Sequence, residues 1–332
     1  MIEVIMMKAI LVEEKDQSLY IGDFEKPKIG PNEILVKVKA TALNRADLLQ
    51  KRGLYPPPHG ASPILGLEMS GIVEELGAEV TGWKKGDRVC ALLPGGGYAE
   101  YVSIPADMSM RVPEQLSFEQ AAAIPEVFLT AYLNMFWLGN LQKGQTILIH
   151  AGASGVGTAA IQLAKEKGAN IIVTAGTPEK RELCLSLGAD YAIDYKEGPF
   201  SEKIKTATED KGVDLIFDFI GADYWDENIR SLRFDGKLII IGTMGGSKVK
   251  EVDLGKLLAK RLQVIGTALR TQPPEKKSQL TQDLSNFAFA KIASGDIKPI
   301  LDSTWDWADA NKAHAHMEQN KNAGKIVLRV NA

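Results

Sequence analysis

The sequence predicts an α/β protein in which a Rossmann-type doubly wound parallel sheet is joined to a second, β-rich region. Three observations predict it. Strand-like and helical runs alternate from Thr146 onward, and a glycine-rich turn lies where the first of those strands meets its helix. The first third of the chain is made of short apolar runs parted by turn residues. With 332 residues the chain is long enough for two domains, each with its own core.

In the first third the runs are KAILV, EILVKVKA, GIVEELG, DRVCALL and YAEYVSI, separated by Gly, Pro and Asn. They read as strands of an all-β region. A helical pattern spans Ser117 to Leu138. It opens on SFEQ, a capping box in which a serine hydroxyl and a glutamine side chain satisfy each other's main-chain N–H groups. Pro125 is expected to break or kink it, since proline lacks the N–H that a helix interior needs. From Thr146 strand alternates with helix: TILIH, NIIVTAG, YAID, VDLIFDFI, KLIIIG and LQVIGTAL are the strands. Such runs, apolar on both faces and linked by helices, imply a parallel sheet with right-handed crossovers. After Thr271 two helices and a last strand, GKIVLRV, remain. They cannot enclose a core alone, so this tail is expected to pack on the N-terminal region.

The 39 basic and 42 acidic residues give a net charge of -3, a balance that argues against a nucleic-acid partner. Cys90 and Cys184 are too few and too far apart for a disulfide framework or a cysteine-rich zinc site. No apolar run approaches the ~18 residues of a membrane span. The opening MIEVIMMKAILV has neither a basic n-region nor a small-residue cleavage site. A reduced, cytoplasmic setting is expected.

Residues 150–157, HAGASGVG, pass from strand to helix with almost no side chain. At the first strand of such a sheet, small residues let a dinucleotide's pyrophosphate approach bare main chain and the positive end of the next helix. Gly152 is expected to make the turn, and Gly155 and Gly157 to allow close approach of helix, strand and ligand. Ser154 stands where the usual G-x-G-x-x-G has glycine. It is small enough for the turn, and its hydroxyl can donate to a phosphate oxygen.

For NAD, an acidic residue at the tip of the second strand would bond the ribose hydroxyls. This strand ends instead in Gly176-Thr177, with Lys180 and Arg181 opening the next helix. Small residues beside cations suit the 2′-phosphate of NADP, although a solvated cation pair beside Glu179 is the plain alternative. Tyr195, at the third strand's end, reads either as an adenine neighbour or as a surface tyrosine.

A catalytic zinc needs a Cys/His/acid set in the β-rich region. There is no cysteine near ALNRAD and no histidine in PILGLEMSG, while His59 and Glu68 alone cannot complete a site. His314 and His316, two apart in a tail helix, face different sides. Chemistry without a metal favours conjugated acceptors, whose delocalised anion a hydrogen-bond donor can stabilise. Tyr55, in KRGLYPPPHG, reads either as that donor, held by its prolines, or as an aromatic packed over them.

Taken together, ALNRADLLQKRGLYPPPHGASPILGLEMSG, LLPGGGYAEYV, QAAAIPEVFLTAY, LIHAGASGVGTAAIQLAK and EQNKNAGKIVL resemble the zinc-free quinone oxidoreductase branch of the medium-chain dehydrogenase/reductase superfamily. The likeness runs nearly end to end. It is greatest to the tumour-suppressor-inducible quinone oxidoreductase subgroup, with zeta-crystallin more distant. The resemblance implies a GroES-like domain from residues 1–125 and 271–332, with a nucleotide domain at 126–270 and NADPH between them. It implies cofactor contacts at Asn44, Asp47, Thr130, Ser154, Gly155, Val156, Gly157, Gly176, Thr177, Lys180, Tyr195, Gly242, Thr243, Met244, Leu269, Arg270 and Asn322. Tyr55 would lie beside the nicotinamide. It further implies hydride transfer from NADPH to a quinone without metal, and a homodimer paired through LQVIGTAL. Reduction of an enoyl-CoA or other α,β-unsaturated carbonyl, and a non-catalytic crystallin-like NADPH-binding role, are the alternatives.

Overall fold

The computed structural model describes residues 4–331. Two compact units divide the chain: Met1–Leu129 with Arg270–Ala332, and Thr130–Leu269. The divisions fall at 129/130 and 269/270, where the sequence suggested 125/126 and 270/271. Arg270 therefore belongs to the β-rich unit.

The strands are β1 (Met6–Val12), β2 (Leu19–Glu25), β3 (Glu33–Ala42), β4 (Glu68–Leu76), β5 (Arg88–Leu92), β6 (Tyr101–Pro105) and β7 (Ser109–Arg111) in the N-terminal part. The middle part carries β8 (Thr146–Ile149), β9 (Asn170–Thr174), β10 (Tyr191–Ile193), β11 (Val213–Asp218), β12 (Leu232–Ile240) and β13 (Gln263–Gly266). The tail carries β14 (Leu301–Asp306) and β15 (Lys325–Arg329). The α-helices are α1 (Arg45–Lys51), α2 (Phe118–Ala122), α3 (Pro125–Tyr132), α4 (Gly155–Lys167), α5 (Pro178–Leu187), α6 (Phe200–Ala207), α7 (Trp225–Ser231), α8 (Leu254–Lys260), α9 (Pro274–Ser294) and α10 (Ala310–Glu318).

In the β-rich unit β1 and β2 form an antiparallel ribbon, and a larger sheet runs β14-β15-β3-β4-β5-β7 with β6 also on β3. The central strand β3 buries Ile34, Val36 and Val38 at the two-residue period of a pleated strand, against Met69, Val73, Ile326 and Leu328. Gly71 on β4 must be glycine, because a Cβ there would stand 2.2 Å from the Lys37 carbonyl oxygen. The tail does pack on the N-terminal region: β15 pairs antiparallel with β3, Val327 opposite Ala42. The sequence reading missed β14, which lies parallel to β15. All but one of its residues are half-buried, so it shows no alternation to read. Along α9, Lys277, Leu280, Thr281, Leu284, Ala288 and Ile292 are buried, a stripe at helical spacing.

Ser117 caps α2 as its motif predicts: Oγ accepts from Gln120 N at 3.2 Å and Gln120 Oε1 from Ser117 N at 2.9 Å. Pro125 ends that segment by opening a new helix, α3, which runs into a π-helical turn at Leu133–Leu138. One expectation is corrected here. The stretch Phe118–Leu138, at 21 residues, is long and apolar enough to cross a membrane by composition. Its most apolar window is 72% buried inside the protein, which accounts for that character.

In the other unit six parallel strands take the order β10-β9-β8-β11-β12-β13. Strand order reverses between β8 and β11, so neighbouring crossovers leave to opposite faces and open a crevice at the carboxyl ends. Leu148, Ile172, Ile216 and Leu238 form the sheet's side of a core completed by Phe200, Ile204 and Ile229 from α6 and α7. Helix α4 starts at Ser154 and α5 at Thr177, both side-chain caps, and both end on left-handed glycines, Gly168 and Gly188.

Candidate functional site

The carboxyl edge of the parallel sheet gathers most of the expected nucleotide contacts. The β8–α4 turn differs in detail from the sequence reading. Its left-handed residue is Ala151, at φ 49°, rather than Gly152. Gly152 is small for another reason: a Cβ there would meet Val173 Cβ at 2.8 Å and Cys184 Sγ at 3.0 Å. At Gly157 a Cβ would lie 2.5 Å from the carbonyl oxygens of both Ala151 and Gly152, so any side chain would push the helix off the turn. Ser154 Oγ accepts from Gly157 N at 3.1 Å, which answers why serine fits: it caps the helix and keeps its own O–H to give. The N–H groups of Gly155 and Val156, the first two helical residues, have no acceptor within the helix and suit an anion.

At the β9 tip, Gly176 admits the neighbouring ring: a Cβ would stand 2.7 Å from the Tyr195 hydroxyl oxygen. Tyr195 is partly exposed and lies edge-on to Tyr224. Thr177 Oγ1 accepts from Lys180 N at 3.3 Å, and Pro178 fixes the first helical φ. Of the two cations here, Arg181 is paired with Asp194 from the β10 end, and Lys180, the residue expected at a 2′-phosphate, lies in the first turn of α5. Beyond β12, Met244 N donates to Phe219 O at 3.1 Å, so Gly242, Thr243 and Met244 pack on the β11 loop. Thr130 is buried, its carbonyl taken by Asn134 Nδ2 at 2.8 Å. Leu269 is buried, so any ligand would meet its main chain.

A line of buried polar groups under this edge was not foreseen. His150 Nδ1 lies 3.0 Å from Thr174 Oγ1 and Nε2 lies 2.7 Å from Asn228 Oδ1. Asn228 Nδ2 donates to Asp218 Oδ2 at 3.1 Å, and Asp218 Oδ1 accepts from Ile220 N at 2.7 Å. Burial pushes His150 down to about 4, so the ring is neutral. The signal available was Asp218 closing the apolar strand VDLIFD, where it is buried among apolar neighbours.

In the β-rich unit the expected contacts Asn44 and Asp47 are tied into a buried charge network. Asn44 Nδ2 donates to Glu68 Oε1 at 2.9 Å and Asn44 Oδ1 accepts from Lys325 Nζ at 2.8 Å. Lys325 pairs with Glu68 at 2.7 Å, with both side chains almost wholly buried. Asp47 is fully buried and its oxygens accept from Asn44 N and Gly66 N, so it frames the site from inside. Burial raises its carboxyl to about 6, against the pull of those N–H groups. Glu126 gives its main-chain N–H to Glu68 Oε2 at 2.8 Å, and burial, then Glu68's charge, raises its carboxyl to about 8. No donor among the described residues reaches the Glu126 carboxyl. Asn322 turns inward, Nδ2 on Gly324 O at 3.0 Å.

Tyr55 is half-buried beneath Arg270, whose guanidinium carbon lies 5.1 Å from the ring centroid. Burial raises the Tyr55 hydroxyl's pKa and Arg270 pulls it back. The donor set does not fit a zinc ion. Among the described residues no three His, Cys, Asp or Glu side chains converge, and Glu68 already carries the Lys325 ammonium. His316 is paired with Asp302, and His314 Nε2 lies 3.0 Å from the Tyr98 hydroxyl.

Residues 30–114 match the alcohol dehydrogenase GroES-like domain, and residues 155–286 match the family described as zinc-binding dehydrogenase. A quinone oxidoreductase of Pseudomonas aeruginosa is 34% identical over 92% of this chain and 94% of its own. One of Rattus norvegicus is 30% identical over 92% of each. The phthioceranic/hydroxyphthioceranic acid synthase of Mycobacterium tuberculosis is 31% identical over 95% of this chain, which spans only 15% of that protein. Among solved structures, the Escherichia coli quinone oxidoreductase complexed with NADPH aligns at TM-score 0.86 and 32% identity, covering 98% of this chain and all of that one. An NAD-dependent alcohol dehydrogenase aligns at the same TM-score with 29% identity and the same coverage.

Proposed function

Because the chain belongs to the medium-chain dehydrogenase/reductase superfamily, alongside quinone oxidoreductases, we propose that it is an NADPH-dependent reductase of quinones that works without a metal. The observation that carries the reading is the β8–α4 turn beside an acid-free β9 tip. It offers the N–H groups of Gly155 and Val156 and the Ser154 hydroxyl to a pyrophosphate, and Lys180 to a 2′-phosphate.

Bound NADPH supplies a hydride from its nicotinamide ring. This chain's part is to hold and to stabilise. Gly152 and Gly157 keep the turn close-packed so that the pyrophosphate meets main chain. Tyr55 offers its O–H to the oxygen that gains charge in the acceptor, a role suited to a group kept protonated at neutral pH. A reduced quinone leaves as a stable anion, so solvent can supply the proton. Lys325 on Glu68 puts an ammonium among carboxylates where a metal would otherwise need ligands, in keeping with a metal-independent reaction.

A second reading, reduction of an enoyl thioester, is favoured by the match to a segment of an acid synthase. Steady-state rates with an ortho-quinone and with a medium-chain enoyl-CoA, each with NADPH and NADH and with added chelator, test both. The first reading expects faster quinone turnover, NADPH preference and no loss with chelator. Faster enoyl-CoA turnover would replace it with the second. The chain is further proposed to form a homodimer along β13, one of the two edge strands of its sheet.

A further inference from the structure

Arg270 is 4% exposed, yet no carboxylate pairs with it among the described residues. Its guanidinium is shared among neutral oxygens from three segments. Nε and Nη2 donate to Pro94 O at 2.9 and 2.6 Å, Nη2 to Gln50 Oε1 at 2.7 Å, and Nη1 to Tyr55 O at 3.4 Å. Its own carbonyl is held by Lys277 Nζ at 2.9 Å. A buried cation without a paired anion is costly, so its place here calls for an explanation beyond packing. The fork geometry of a guanidinium is what lets one side chain join α1, the loop after β5 and the Tyr55 segment while its face lies over the Tyr55 ring.

We propose that Arg270 is the positioning residue for Tyr55: it clamps the KRGLYPPPHG loop and holds the phenol where an acceptor oxygen would meet it. The inference rests on the reading of Tyr55 as the hydrogen-bond donor, and it assigns Arg270 a different role from the cofactor contact that the family resemblance implies. The three prolines stiffen the loop's own backbone, but they do not fasten it to the rest of the unit. Arg270 does, through Pro94 and Gln50. Lysine, with one point charge, could keep the cation near the ring but not the three-way fork.

The test uses the full-length protein carrying 3-fluorotyrosine at position 55, read by 19F NMR, together with NADPH titration and quinone turnover. Arg270→Met is expected to move the 19F line toward the narrow, free-tyrosine position and to leave the NADPH Kd within about threefold. It is expected to lower kcat roughly tenfold, and the Arg270→Met/Tyr55→Phe double variant should fall less than about twofold below Tyr55→Phe alone. An unmoved 19F line, additive losses, or an NADPH Kd weakened more than about tenfold would overturn the proposal. Should Arg270→Met fail to fold, Arg270→Lys and Gln50→Ala take its place, with a smaller line shift expected and no shift overturning it. If no quinone is turned over at all, the proposed activity fails, while the 19F line still decides the role of Arg270.

Discussion

Lys180 and Glu126 show how far single residues carry the functional argument. Lys180 shares its helix turn with Arg181; the sequence singles out Lys180 for a phosphate, and Arg181 is paired with Asp194. Lys180→Ala should weaken NADPH binding about 10–100-fold, the worth of one charge-assisted contact, and leave NADH within about threefold. Isothermal titration with each coenzyme measures this, and equal weakening of both would remove the phosphate role. Glu126 makes a different prediction, about pH. Its folded carboxyl titrates near 8, far above an unfolded glutamate, so the unfolded chain releases the proton first as pH rises. Its contribution to stability is therefore full below about pH 4.5 and is lost progressively toward pH 8. Glu126→Gln has no proton to lose. It should match the wild type near pH 4.5 and melt a few degrees higher at pH 9, in thermal scans across that range. A gap that does not widen with pH would place the Glu126 charge in solvent.

At the scale of elements, legibility follows burial pattern. The six strands of the parallel sheet were readable because continuous apolar runs alternate with helical spacing, and the Ser117 box because both its partners are local. Strand β14 was not, since its half-buried residues give no period. The Asn44–Glu68–Lys325 network was not either, because its members come together only when β15 returns to β3. The glycine turn was readable as an element but not in its parts: Gly152 is fixed by Val173 and Cys184, neighbours from the next strand and helix. Gly157→Ala tests the element directly. Two carbonyl oxygens 2.5 Å from the new Cβ must shift, and with them the N–H groups of Gly155 and Val156. NADPH affinity is expected to drop at least about tenfold, with a melting point lower by only a few degrees. Retained affinity would mean that the main chain of this turn is not the anion site.

At the scale of the whole molecule the open question is assembly, and β13 bears on it. It is the last strand of the six-stranded sheet, and its outer edge pairs with no other strand among the described residues. Beside it α8 buries none of its residues, and Leu254 and Leu258 are 70% and 81% exposed. Val264, on the strand itself, is also exposed. An amphipathic helix normally turns its leucines inward, and an unprotected strand edge invites pairing with another chain. A second copy, presenting the same edge about a two-fold axis, would satisfy both features at once. Sedimentation at micromolar concentration is then expected to give about twice the 36.1 kDa chain mass. Charges at the edge and on the helix, Val264→Asp with Leu258→Glu, should return the mass to one chain with NADPH binding retained, because the proposed coenzyme site lies at the carboxyl ends of the strands. If the wild type sediments as a single chain, this edge is not an assembly surface. If the double variant stays dimeric, the copies meet elsewhere.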